Sequence, residues 1–182
     1  MSGMSDAQKV GGMGSSAGGY RMGRVNIDEL TTELRHKYLT ILKSCYWEFF
    51  ESGQCMQESV IVLMESADRA MDHEESPIED WGFILSYIIS DSYIKLLSSL
   101  SSIPCLGKLF RQKLFEHFSL SYDIIVNFIE GHELAKKNIM MVIQNKEFVN
   151  KILMESQKQI QGAEQYMFSH IEEMFPEICK AI

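Results

Sequence analysis

Apolar residues recur at steps of three and four along most of this chain, the period of a helix with one buried face. Leu30, Leu34, Tyr38, Ile41, Leu42, Cys45, Phe49 and Phe50 make the first such stripe. Asn26 is a suitable N-cap, and Asp28 and Glu29 sit where the positive helix terminus favours carboxylates. Gly53 is the natural residue just past the end. A second helix is predicted from about Met56 to Met71, on Met56, Val60, Leu63, Met64, Ala67 and Met71, folded back as a hairpin through the short link.

An acidic stretch from Asp72 to Asp80 interrupts the pattern and reads as a solvated loop. Helical period resumes at Trp81 and runs to about Leu100, where Ser101-Ser102-Ile103-Pro104 breaks it. A helix from Pro104 carries Leu106, Leu109, Phe110, Leu114, Phe115 and Phe118. Another is expected from about Leu120 to Ile143, capped by Ser119 or Ser121. The last long helix spans roughly Lys146 to Met174. Its stripe of Val149, Leu153, Ile160, Ala163, Met167, Ile171 and Met174 is narrow and close to a 3.5-residue period, a pattern suited equally to a self-association seam and to a helix packed inside its own bundle. Phe175-Pro176 ends it. β-Branched runs are short and lack turn chemistry, so no strand competes. The fold class is all-α, a bundle of five to seven helices over residues 25–182.

Residues 1–24 differ. They are rich in glycine and serine, have no apolar period, and are expected to be a disordered leader. A glycine-rich phosphate cradle would need a strand before it and a helix with Lys-Ser/Thr after it, and neither is present.

The 182 residues suit one domain with a real core. A formal charge of −8 disfavours phosphate backbones and anionic lipid, so nucleic acid is not an expected partner. The most membrane-like stretch, Trp81 to Ile103, is interrupted by Asp91 and Lys95 and diluted by serines, so this segment is not expected to insert in a bilayer. Cys45, Cys55, Cys105 and Cys179 are widely spaced and read as reduced thiols, half-buried.

Catalytic chemistry finds no frame. The acidic loop lacks the spacing of a calcium loop. His132-Glu133 resembles the start of a zinc helix, but Lys136 stands where the second histidine is required. His117 and His132 are most simply partly buried or surface side chains. Without a nucleophile elbow, a phosphate loop or a metal set, neither an enzyme nor a cofactor is expected. Tyr46, Trp47, Phe49 and Phe50 are too close in sequence to face one core together.

Several pieces in order carry a resemblance. They are Tyr46-Trp47-Glu48 before Gly53; Leu63-Met64-Glu65-Ser66-Ala67-Asp68-Arg69-Ala70-Met71-Asp72; Trp81 after the acidic loop; Gly131-His132-Glu133-Leu134-Ala135; Glu155-Ser156; and Phe175-Pro176-Glu177. Residues 33–182 resemble the cytosolic helical region that follows the membrane domain of Na⁺/H⁺ antiporters of the Salt Overly Sensitive and sperm-specific type. The resemblance implies a regulatory and dimerisation module on the cytoplasmic side of a membrane. It would couple a membrane transport domain to regulatory domains, be unable to transport by itself, and have as partners its own transport domain and a second copy. A free-standing helical adaptor that takes a partner helix in a groove is the alternative.

Overall fold

The computed structural model describes residues 27–73, 75–88, 107–143 and 146–171. Its elements are α1 (Ile27–Glu51), α2 (Gln57–Met71), α3 (Asp80–Ile88), α4 (Gly107–Val142) and α5 (Lys146–Tyr166), continued by a π-helical turn (Met167–Ile171). No strand occurs among the described residues, and the fold is all-α as the periodicity predicts. The predicted leader, the break at Pro104 and the final Phe175-Pro176 lie outside the described residues.

Helix α1 is the centre of the bundle and packs against α2, α4 and α5. Its stripe is buried from Leu34 through Tyr38, Leu39, Leu42, Cys45 and Tyr46 to Phe49. The helix ends as expected. Gly53 adopts φ +77°, a conformation that only glycine enters without strain. The Gly53 N–H donates to the Phe50 carbonyl at 3.0 Å, and the Gln54 and Cys55 N–H groups both donate to Phe49 at 2.9 and 3.1 Å. These bonds satisfy terminal carbonyls and reverse the chain into α2. The turn is tied to α4, because the Met56 N–H donates to the Asp123 carboxylate at 3.0 Å. Lys43 and Asp68 pair across the α1–α2 hairpin.

Two boundaries depart from the sequence reading. One helix of 36 residues replaces the two expected between Pro104 and Ile143. Ser121 does not cap a new start; its hydroxyl donates back to the His117 carbonyl at 2.9 Å, one turn earlier in the same helix. Further along, the α-helix from Lys146 gives way at Met167 to a π-helical turn, and its predicted end at Met174 lies outside the described residues.

The core holds Leu34, Tyr38, Leu42 and Tyr46 of α1, Leu63 and Ala67 of α2, Trp81 and Ile84 of α3, Ile124, Ile125 and Phe128 of α4, and Ile152 of α5. The adjacent aromatics of α1 divide as geometry requires: Tyr46 and Phe49 are buried and Trp47 is exposed, its ring 5.5 Å from Phe50. Two glycines allow close helix contact. A methyl group on Gly131 would overlap the Tyr46 ring, and one on Gly162 would lie 2.7 Å from Trp81 Cδ1. Trp81 fills the space so created, with its ring 5.4 Å from Phe128 and 6.0 Å from Tyr166.

Candidate functional site: a buried polar hub

Four polar side chains from four helices meet inside this core. Asp80 opens α3, His132 lies in the middle of α4, Ser156 on α5 and Tyr38 on α1, and each is at most 1% exposed. His132 Nε2 lies 2.9 Å from Asp80 Oδ2. On the other side of the ring, Nδ1 is 2.9 Å from Ser156 Oγ and 3.1 Å from the Tyr38 hydroxyl. Tyr38 and Ser156 are joined directly at 2.6 Å, and the Tyr38 hydroxyl also donates to the His132 carbonyl at 3.3 Å. Phe128 closes one face of the imidazole at a centroid distance of 4.4 Å.

These positions correct two expectations. His132 is not a partly buried or surface side chain, and Asp80 does not belong to the solvated loop. A buried carboxylate is costly unless it is paired and hydrogen-bonded. The imidazole N–H supplies that partner for Oδ2, whereas Asp80 Oδ1 and the nearby Tyr46 hydroxyl make no hydrogen bond among the described residues. Burial pushes the Tyr38 and Tyr46 hydroxyls well above the usual phenol range, and the Asp80 charge adds to the effect. Both tyrosines therefore act as neutral hydroxyl groups.

A second layer fastens the acidic loop above the hub. Arg35 on α1 forms a two-pronged pair with Glu155 on α5, Nε to Oε2 at 2.9 Å and Nη2 to Oε1 at 2.7 Å. The guanidinium also donates from Nη1 to the Glu75 carbonyl at 3.1 Å. Glu155 Oε2 accepts the Ile78 N–H at 3.2 Å, and Gln159 Oε1, one turn further along α5, accepts the Trp81 N–H at 3.3 Å. Ile78 is itself buried. The loop starts from the α2 terminus, where the Asp72 and His73 N–H groups donate to the Asp68 and Ala70 carbonyls, and then lies as a strap across α1 and α5 held by their side chains. The bond to Glu155 raises the Arg35 pKa further, so this cation stays charged at any ordinary pH.

Ser156, His132 and Asp80 are residue types that also serve nucleophilic catalysis. Here the serine hydroxyl is fully buried and already bonded to Tyr38. What the arrangement can do is hold α1, α3, α4 and α5 in one mutual register. No group of three or more His, Cys, Asp or Glu side chains among the described residues is placed to hold a metal ion.

The predicted seam of the last helix is divided by the fold. Val149, Ile160 and Ala163 are buried in the chain's own core, and Leu153 and Met167 are half-buried. Nothing is described of the Ile171 side chain or of Met174. No helix among the described residues is long and apolar enough to cross a membrane.

No family model matches the chain. Aligned with curated proteins, it is 24% identical over 165 residues to sodium/hydrogen exchanger 8 of Arabidopsis thaliana. It is 21% identical over 150 residues to sodium/hydrogen exchanger 7 of the same plant. The chain resembles a segment of sodium/hydrogen exchangers. The first match takes in 90% of this chain and 21% of the relative, the second 82% and 13%. The chain therefore spans about a fifth or less of the length of the relatives it matches. His132 in Gly131–Ala135, Glu155-Ser156 and Trp81 were among the pieces that carried the resemblance in the sequence. In the fold they converge on the hub and its strap.

Proposed function

We propose that this chain is a helical regulatory segment of a sodium/hydrogen exchanger-type protein, on the cytoplasmic side of the membrane. It carries no ion path of its own. It transmits the state of regulatory parts to a membrane transport domain through the packing of its helices. The supporting observation is the extent of the match: nearly all of this chain corresponds to a small part of a much longer exchanger. The hub suits such a role, because four helices that share one set of buried hydrogen bonds shift together or not at all. Self-association belongs to the same reading and is assigned to the last helix, through the seam positions that are only half-buried among the described residues, Leu153 and Met167.

A chimera tests this function. The matched segment of Arabidopsis sodium/hydrogen exchanger 8 is replaced by this chain, and sodium-driven proton movement is followed in membrane vesicles. The chimera should exchange measurably better than the same exchanger with the segment deleted. A chimera that reaches the membrane yet performs no better than the deletion would contradict the reading. Self-association is checked by sedimentation over a range of concentrations, where Met167→Lys should shift the chain toward monomer.

A further inference from the structure

We propose that Ser76 is a phosphoacceptor for proline-directed protein kinases, and that its phosphorylation unfastens the strap over residues 72–79. Ser76-Pro77 is the only Ser/Thr-Pro pair in the chain, since the other prolines follow Ile103 and Phe175. Ser76 and Pro77 are both exposed in the loop between α2 and α3. The Ser76 backbone N–H donates to the His73 carbonyl at 2.8 Å, while no hydrogen bond among the described residues occupies its hydroxyl. Proline removes the next N–H and holds the serine away from helical geometry, which suits a kinase cleft that reads an extended segment. In the reaction the Ser76 oxygen attacks the γ-phosphorus of a nucleoside triphosphate supplied with the kinase. The bond from that phosphorus to the β,γ-bridging oxygen breaks, the nucleoside diphosphate leaves, and the hydroxyl proton passes to the kinase base.

The location gives the modification its consequence. A phosphoserine carries about −1.5 to −2 charges and three strong acceptor oxygens. It would sit one residue from the Glu75 carbonyl that Arg35 holds and two from the Ile78 N–H that Glu155 holds. Arg35 is the cation that neutralises Glu155, and both side chains are nearly buried, 5% and 11% exposed. Arg69 lines the same surface hollow as Ser76 and is held by an exposed pair with Glu65 and by the face of Phe83. A new dianion therefore repels the Glu75, Glu79 and Glu155 carboxylates around the strap and draws on its cations, Arg69 in the hollow that Ser76 lines and Arg35 beneath Glu75. The strap loses the fastening at Ile78, and with it the lead into Asp80 and the hub. Linkage makes the effect reciprocal: a kinase must peel Ile78 away to bind the segment extended, so a tighter strap is modified more slowly.

Neither step depends on the exchanger reading, and both are measured on the chain itself. The chain is incubated with adenosine triphosphate and a proline-directed kinase, and the product is mapped by mass spectrometry and amide hydrogen exchange. One phosphate is expected, on Ser76, and it should be absent from Ser76→Ala. Gln159→Ala, which loosens the Trp81 anchor, should be modified several-fold faster, and Ile78→Ala should do the same if Gln159→Ala folds poorly. In the phosphorylated chain the Ile78 and Trp81 amides should exchange at least tenfold faster, with core amides such as Leu42 and Ile125 unchanged. The proposal is overturned by no incorporation into either the parent or the loosened variants, by labelling that persists in Ser76→Ala, or by unaltered exchange at Ile78 and Trp81 after modification.

Discussion

Removing Arg35 and Glu155 one at a time and then together gives a quantitative reading of the strap. Arg35→Met leaves the Glu155 carboxylate nearly buried, with only the Ile78 N–H as a partner. Breaking a buried pair from one side costs about 3–5 kcal/mol, because it strands a desolvated charge. Glu155→Leu takes the bidentate carboxylate partner from the nearly buried guanidinium and also orphans the Ile78 N–H. It should cost about as much as Arg35→Met. If the two effects were independent, the double variant would lose about 6–10 kcal/mol, comparable to the whole stability of an ordinary domain. With both charges gone, no desolvated ion is stranded, and an unpaired group such as the Ile78 N–H costs only about 1–3 kcal/mol. Arg35→Met/Glu155→Leu should therefore be more stable than either single variant. The assay is urea unfolding followed by circular dichroism, comparing midpoints at unchanged slope. Strictly additive losses, or single losses below about 0.5 kcal/mol, would refute a buried ion pair at this position and place it in the class of weak surface bridges.

Further outcomes follow from the same packing. Burial pushes the Cys45 thiol up to about 11 and the Cys55 thiol up to about 12. Neither should be alkylated by iodoacetamide at pH 8 in the folded chain, and both should react after unfolding, as peptide mapping would show. In the unfolded chain these thiols ionise near their ordinary value, so their contribution to stability is complete below about pH 8.5 and is lost as pH rises toward the folded values. Urea midpoints at pH 8 and pH 10.5 should fall in that order. Gly131→Ala and Gly162→Ala, driven against Tyr46 and Trp81, should each lose about 1–3 kcal/mol in thermal melts. Gly82→Ala, where an added methyl meets nothing within 4 Å, should instead gain up to about 1 kcal/mol. Tyr38→Phe removes a hydroxyl shared by Ser156 and His132 and should cost about 1–3 kcal/mol without loss of helicity.

The helices were legible in the sequence because burial follows period. The stripe from Leu34 to Phe49 and the reversal at Gly53 need nothing beyond local spacing. The continuity of α4 was hidden, since Ser119 and Ser121 resemble caps while Ser121 merely bonds back within its own helix. The hub was hidden more deeply. Its members are 94 residues apart for Tyr38 and His132, 52 for Asp80 and His132, and 24 for His132 and Ser156. No local spacing joins them. Asp80 looked like one more carboxylate in an acidic loop, and Ser156 like a polar gap in an apolar stripe. A lone His132 gave no signal beyond a failed zinc motif. What did point there was the order of Gly131-His132, Glu155-Ser156 and Trp81 along the chain. A polar residue interrupting a buried stripe, as Ser156 does, is the one cue within the residues themselves.

The account rests on the strap, α3 and the surrounding helices forming one cooperative unit around the buried hub. Native-state amide hydrogen exchange measures this directly, with opening energies resolved for each residue. The Ile78 and Trp81 amides should open with the same free energy as Leu42 on α1 and Ile152 on α5. Exchange at Ile78 and Trp81 as fast as at the exposed Ser76, while Leu42 and Ile152 stay protected, would contradict it.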